Sequence, residues 1–419
     1  MTRFTKPIIA AVLMGGMTAV AMPAHAAKKP AEAELPAGAP NPKDLSKPVR
    51  AALIAIQTQQ TAGDHAGALV AIRAAEAAGN LNPTDAFYLA QSKLGSASKL
   101  SDDTALAEAI KASVDSSFLP AADRPKYQRN LATLAIKRRD YPAAVAIYEK
   151  MASNAPNDPD SLINLALIYR DLKQVPQAIS TLGKAIDARQ AAGAKADETW
   201  YQTRLQLAYD AKRPEVGSAS EALVTAYPTA TNWSNVLNIY RDAVNADDQL
   251  NLDTFRLMHA VNALGGERVW QEYASTALEK GLPGEAKKIL DEGVAAKKLT
   301  GTKPIEKEIL SVAAPKLKAD MASLPGLEKD AASAPNGKTA MGTGDAYYGY
   351  GNYAKAAAMY RLAVTKSTGA DAATANLRLG AALAMAGDKA GATTAFNAVS
   401  GSPRAQLGKY WLVYLGQKA

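Results

Sequence analysis

Histidine, cysteine and clustered carboxylates are where chemistry would have to begin in this chain, and they are sparse. Of the three histidines, His25 stands close to the N-terminus, while His65 and His259 are nearly two hundred positions apart. Neither of the latter has a second histidine or a carboxylate at metal-ligand spacing. Cysteine is absent, which removes a disulfide framework, a thiolate nucleophile and a cysteine metal site together. No Gly-x-Ser-x-Gly elbow, Walker-type phosphate loop or His-Glu-x-x-His occurs. Gly342, Gly344, Gly349 and Gly351 are close together, but they follow no strand and have the wrong spacing for a dinucleotide loop. The pairs Asp102-Asp103 and Asp247-Asp248 fall at expected helix ends, where carboxylates cap exposed N–H groups and suit the helix dipole. Catalysis needs positioned groups with shifted pKa values. The sequence offers no such cluster, so the expectation is a non-enzymatic protein without cofactor or metal.

Residues 1–26 have the anatomy of a secretory signal peptide. Arg3 and Lys6 are followed by an uncharged apolar run from Pro7 to Met22 and then by Ala24-His25-Ala26, a small-x-small cleavage site. No cysteine follows to accept a lipid, and no later segment is apolar for long enough to span a bilayer. The expected location is periplasmic or secreted, in a bacterial envelope. Residues 27–48 are rich in Ala, Pro and charge and read as a flexible leader. Without Arg3 and Lys6 the remaining chain has 46 basic and 40 acidic residues, a mild excess with no run of five like charges. That balance does not point to nucleic acid.

The strongest pattern is a repeat. Leu131-Ala132 returns as Leu165-Ala166, and the same step carries Tyr141 to Val175, Ala144 to Ala178 and Tyr148 to Leu182. Small residues recur where two helices must approach closely, and larger apolar ones recur where the pair shares a core. A single copy cannot bury that face alone, so copies must stack. On these residues, and on a step equal to that family's period, the chain resembles the tetratricopeptide repeats. The resemblance implies an all-α protein, a right-handed α-solenoid of helix-turn-helix units, acting as a binding scaffold.

The register runs along most of the chain. Ile56, Ala68, Ile72 and Ala75 belong to one unit, and Leu89, Ala90, Leu106 and Ala109 to the next. The longer steps from Ala90 to Ala132 and from Ala166 to Ala208 each leave room for an insertion. Trp233 to Tyr240 makes a good first helix, yet its second helix is indistinct around Asp247 to Leu257. Residues 49–300 are therefore expected to form a solenoid with irregular repeats. Residues 301–336, interrupted by Pro304, Pro315, Pro325 and Pro335, read as a degenerate repeat or hinge. Residues 337–419 read as a C-terminal pair of repeats with a capping helix through Leu407, Trp411, Leu412 and Leu415.

In the repeats this chain resembles, the ligand groove is lined by five positions of each first helix. Carried over, they make Lys126, Arg129, Lys137, Arg170, Tyr209, Lys212, Asn238 and Arg241 the candidate partner-binding residues, with Ile163 and Leu205 among them. A basic groove with aliphatic and tyrosine patches suits an extended acidic and apolar segment of an envelope protein. The Lys/Asn pair used by relatives that clamp a chaperone's C-terminal carboxylate is absent, since the corresponding pairs are Arg129/Thr133, Ile163/Leu167 and Leu205/Tyr209. The C-terminal groove positions, Met341, Asp345, Tyr348, Leu377, Ala381, Ala384 and Met385, are mostly apolar. Either a partner helix covers them or the solenoid folds back on them. An alternative partner is a glycan or small molecule stacking on Tyr347, Tyr348, Tyr350 and Tyr353, of which Tyr348 and Tyr350 are not expected core positions.

Overall fold

The structure is a computed structural model and describes residues 38–418 except residue 402. The signal peptide and the first half of the leader lie outside the described residues. Twenty α-helices and no strand occur among the described residues. The chain divides into two compact units, the first ending at Tyr127 and the second beginning at Gln128.

The first unit holds two hairpins, α1 (Lys47–Thr61) with α2 (His65–Ala77) and α3 (Pro83–Leu100) with α4 (Asp103–Asp115). Its core gathers Val49, Ile56, Ala68, Ile72, Leu89 and Ala105. The segment expected to be a flexible leader is folded here from about Pro40 onward. Leu45 is buried in the same core. The Tyr88 hydroxyl donates to the Pro40 carbonyl at 3.2 Å, Asn82 donates to the Asp44 carbonyl at 2.9 Å, and Asp85 accepts the Ser46 N–H at 2.9 Å. The proline-rich composition concealed one apolar anchor flanked by groups that satisfy its backbone. The division between the units falls within α5 (Arg124–Lys137).

In the second unit, α5 from Gln128 pairs with α6 (Tyr141–Asn154), followed by α7 (Pro159–Asp171) with α8 (Val175–Ala191) and α9 (Glu198–Asp210) with α10 (Val216–Ala226). Next come α11 (Ala230–Ala243) with α12 (Asp248–Ala260), and α13 (Glu267–Glu279) with α14 (Pro283–Ala295). A single long helix, α15 (Pro304–Ser333), precedes α16 (Lys338–Gly349) with α17 (Tyr353–Thr365). The last elements are α18 (Gly369–Met385) with α19 (Lys389–Asn397), then α20 (Arg404–Gln417).

Two local devices make these hairpins. In five of the hairpins the turn from first to second helix has a left-handed residue followed by a capping Asp or Asn: Gly63-Asp64, Ser101-Asp102, Arg139-Asp140, Gly351-Asn352 and Gly387-Asp388. The cap accepts a backbone N–H three residues on, at 2.8 Å for Asp64 and Asp388 and 3.2 Å for Asp140. The second device is the small residue at the crossing. Ala132, Ala166, Ala208 and Ala274 have no exposed surface. A Cβ on Gly344 would come within 2.7 Å of the Tyr360 ring, and one on Gly380 within 2.5 Å of Phe396.

Two segments differ from the sequence reading. The prolines at 315 and 325 do not interrupt α15, which runs unbroken for 30 residues. An interior proline frees the carbonyl four residues earlier, here of Ser311 and Met321. Both carbonyl-bearing residues and both prolines are exposed, so water can meet those groups. The indistinct helix at Asp247 to Leu257 is α12, with every residue from Leu252 to Met258 buried. Asp253, Thr254 and Arg256 stand at buried positions where the repeat pattern would place apolar or small residues, and so disguise the helix.

The C-terminal block explains that coverage. Helices α18 and α20 pack on α12, and α20 also packs on α10. Helix α20 closes on α19, where Trp411 stacks on Phe396 with ring centres 5.5 Å apart. It also reaches further, because Tyr410 meets Tyr240 edge-on at 5.7 Å and Tyr240 donates to the Pro403 carbonyl at 3.0 Å.

These packings set opposite signs on one substitution. Gly380→Ala should destabilise the protein by about 1–3 kcal/mol through overpacking against Phe396. Gly342→Ala, in the same kind of helix but facing open space, should stabilise it by up to about 1 kcal/mol. Denaturant unfolding of both variants checks the contrast.

Candidate binding face

The first helices α5, α7, α9 and α11 carry the candidate residues, and the structure sorts them by what else they touch. Lys126 is exposed on the part of α5 that belongs to the first unit. In the second unit Arg129 is half-buried and Lys137 exposed on α5. Arg170 is exposed on α7 and paired with its neighbour Asp171 at 2.8 Å. Asn238 is exposed on α11, in weak contact with Ser234 at 3.4 Å.

Three residues are placed differently from a free groove position. Lys212 is the left-handed residue of the turn after α9, not a member of the helix face. Tyr209 donates to Asp242 at 2.6 Å, joining α9 to α11. Arg241 donates to Asn251 at 2.7 Å, pairs with Glu272 on α13 and lies 4.3 Å over the Phe255 ring. These last two stitch successive hairpins together. The expected aliphatic patches are also withdrawn, because Leu205 is 1% exposed and Ile163 is 9%. Leu167 and Ile136 remain half-exposed between the charges.

The corresponding face of the C-terminal repeats is closed. Asp345, Tyr348, Leu377, Ala381 and Ala384 are all buried. Of the two alternatives left by the sequence, the chain folds back on itself. Tyr348, expected to be free, lies under the Arg256 guanidinium at 4.5 Å and loses contact with water. Tyr347 is buried too, and Tyr350 donates to Asp320 at 2.6 Å.

Behind this face lies a feature the sequence reading missed, a buried network of two guanidinium groups and three carboxylates. Arg256 on α12 donates through Nε and Nη2 to Glu285 at 2.9 and 2.7 Å, and through Nη1 to Asp345 at 3.0 Å. Arg378 on α18 donates through Nε to Asp253 at 2.8 Å and through Nη1 to Asp345 at 2.6 Å. The formal surplus of one negative charge is met by two phenols, Tyr273 donating to Glu285 and Tyr360 to Asp345, each at 2.7 Å. Burial opposes the charged form of Arg256, but Glu285, Tyr360 and Asp345 outweigh it and hold the pKa well above the ordinary value. Burial likewise opposes Arg378, and Asp253 and Asp345 overcome it. A close approach completes the joint, since Gly349 leaves no room for a Cβ beside the backbone of Glu285. The one signal in the sequence was Asp345, a lone carboxylate among apolar groove positions.

Two histidines, His65 and His259, lie among the described residues. His259 meets Glu292 at 2.6 Å and two aromatic edges, Trp270 and Tyr273. His65 begins α2, in the turn position that Tyr141 fills in α6. No group of three metal-ligating side chains and no helix apolar enough to cross a membrane occurs among the described residues.

Two outcomes follow from these contacts. Arg378→Met would leave Asp253 and Asp345 buried without their shared cation and should cost about 3–5 kcal/mol in urea unfolding. The His259 hydrogen bond, against the opposing effect of burial, lowers the Glu292 pKa. A lowered carboxylate pKa adds stability that is complete above the unfolded value and is lost as pH falls through the folded one. His259→Ala should therefore move the acid-unfolding midpoint, followed by circular dichroism, to higher pH.

Comparison with known families agrees with the hairpin geometry over part of the chain. The family model for the tetratricopeptide repeat matches residues 129–195 and 341–405. No curated protein sequence matches the chain. Among solved structures, the MamA RS-1 ArsTM double mutant is 14% identical, with 48% of this chain and 99% of that one covered and a TM-score of 0.27. A tetratricopeptide repeat protein from Parabacteroides merdae is 11% identical, with 81% and 100% covered and a TM-score of 0.26. The C-terminal part of a repeat-containing protein from Cytophaga hutchinsonii is also 11% identical, with 78% and 98% covered and a TM-score of 0.25. Scores this low carry no argument about overall course or function. Residues 129–195 and 341–405 are thus similar to tetratricopeptide repeats, and the small-residue crossings at Gly344 and Gly380 fall within the second matched segment.

Proposed function

We propose that this protein is a non-enzymatic scaffold of the bacterial envelope that holds a segment of a partner protein against the first-helix face of α5 and α7. The observation that carries the proposal is the contrast between two faces of the second unit. On α16 and α18 that face is already buried within the chain, and on α9 and α11 it is partly spent on Tyr209 and Arg241 stitches. On α5 and α7, Arg129, Lys137 and Arg170 stand near the half-exposed Ile136 and Leu167. Such a mixture suits an extended segment with acidic and apolar residues, gripped by charge-assisted hydrogen bonds. The envelope location rests on the signal-peptide anatomy of residues 1–26. A glycan reading is the weaker one, because stacking needs open aromatic faces and Tyr347 and Tyr348 are buried.

The test is an in vivo crosslinking pulldown of the exported protein beside an Arg129→Glu/Arg170→Glu variant. Two rim charges reversed at about 0.2–1 kcal/mol each, plus new repulsion, should lower partner capture roughly tenfold. Undiminished capture would remove the α5–α7 face from consideration. Mass spectrometry of the same material should give Ala27 as the first residue, and an intact Met1 would count against export by cleavage.

A further inference from the structure

In the second unit, α12 occupies the place that a partner helix would take on the C-terminal repeats. Its residues from Leu252 to Met258 are all buried, and α18 and α20 both pack on it. Two of those residues are charged. Asp253 and Arg256 are one helical turn apart and so project on neighbouring parts of one face. Each meets its opposite: Arg378 on α18 holds Asp253, while Glu285 on α14, with two bonds, and Asp345 on α16, with one, hold Arg256. Asp345 bonds both arginines, so the two halves of the recognition are coupled through one carboxylate.

We propose that α12 is an internal ligand of the C-terminal groove, and that its Asp-x-x-Arg pair is the code the groove reads. The physical basis is a penalty. An apolar helix in this position would leave the Arg378 Nε without an acceptor and Glu285 without its cation, with only the Arg378–Asp345 pair kept, and such desolvated, unmatched groups cost far more than a matched pair gains over an apolar one. The groove therefore accepts an apolar helix only if it brings an acid and a base in that order and spacing. Beside the occupant, α20 is tied to α10 by Gln406 to Glu221 at 2.7 Å and Gln417 to the Val224 carbonyl at 2.8 Å. Helices α18–α20 thus form a clasp over α10–α12, and a partner helix of the same code competes for the groove with α12. This inference is independent of the segment proposed for α5 and α7.

The experiment uses the full chain with Asp253→Asn and Arg256→Gln, so that α12 no longer presents the pair. A labelled peptide of residues 246–262 with native sequence should bind this variant at least tenfold more tightly than it binds the unsubstituted chain. It should also bind at least tenfold more tightly than the same peptide carrying both substitutions. Hydrogen exchange on the variant should rise at least tenfold in α12 and α18–α20 together, with α6–α8 unchanged. Equal binding of both peptides, no binding of either, or faster exchange spread evenly over the second unit would overturn the proposal. Should the double variant fail to fold, Arg378→Lys decides by the same exchange pattern, because it keeps the charge and loses the two-pronged grip on Asp253.

Discussion

Two guanidinium groups at the centre of the second unit have lost almost all contact with water, and the placement of the surrounding helices follows from what replaces it. Removing such an ion from water is worth several kcal/mol against folding unless fixed partners stand at hydrogen-bond distance. Glu285, Asp345 and Asp253 supply those partners from α14, α16 and α12. Each carboxylate has to arrive at a set distance and orientation, so the four helices involved have little freedom to slide. Apolar packing among the same helices is less selective, since it rewards burial with weak dependence on direction. The charges thus choose among the packings that apolar burial would permit.

That constraint changes what a repeat array of this kind does with its surfaces. A helical hairpin has one face for its neighbours and another for a ligand, and stacking alone leaves the second face open. In the second unit the closure of α18–α20 over α10–α12 consumes the ligand face of the C-terminal repeats. Tyr209 and Arg241 are drawn into inter-hairpin contacts further back. The remaining open face lies toward α5 and α7. A division of labour results, in which one set of repeats keeps an exposed mixed surface and the other supplies a closed, rigid core.

The residues that were legible in advance are those whose role is local. Ala132 and Ala166 marked crossings because any larger side chain would separate their helices. Asp140 and Asn352 marked turns because their side chains cap the N–H groups just after them. Other features were hidden because their reason is not local. Pro315 and Pro325 ordinarily break a helix, and here they are tolerated because the freed carbonyls face water. Leu45 is a single apolar residue in a proline-rich stretch, and only the core of α1–α3 reveals its use. Arg241 had the sequence position of a groove cation, while its partner Glu272 is 31 residues away on another helix.

By itself the sequence determined the all-helical class, the repeating hairpin and the absence of cysteine. These depend on contacts within one hairpin or between adjacent ones, and a repeating pattern records such contacts many times over. The tertiary structure decided which faces stay open. Asp253 and Arg378 meet across 125 residues, and Tyr240 and Pro403 across 163. A pairing at that separation occurs once, leaves no period in the sequence, and follows only from the path of every helix between its two ends.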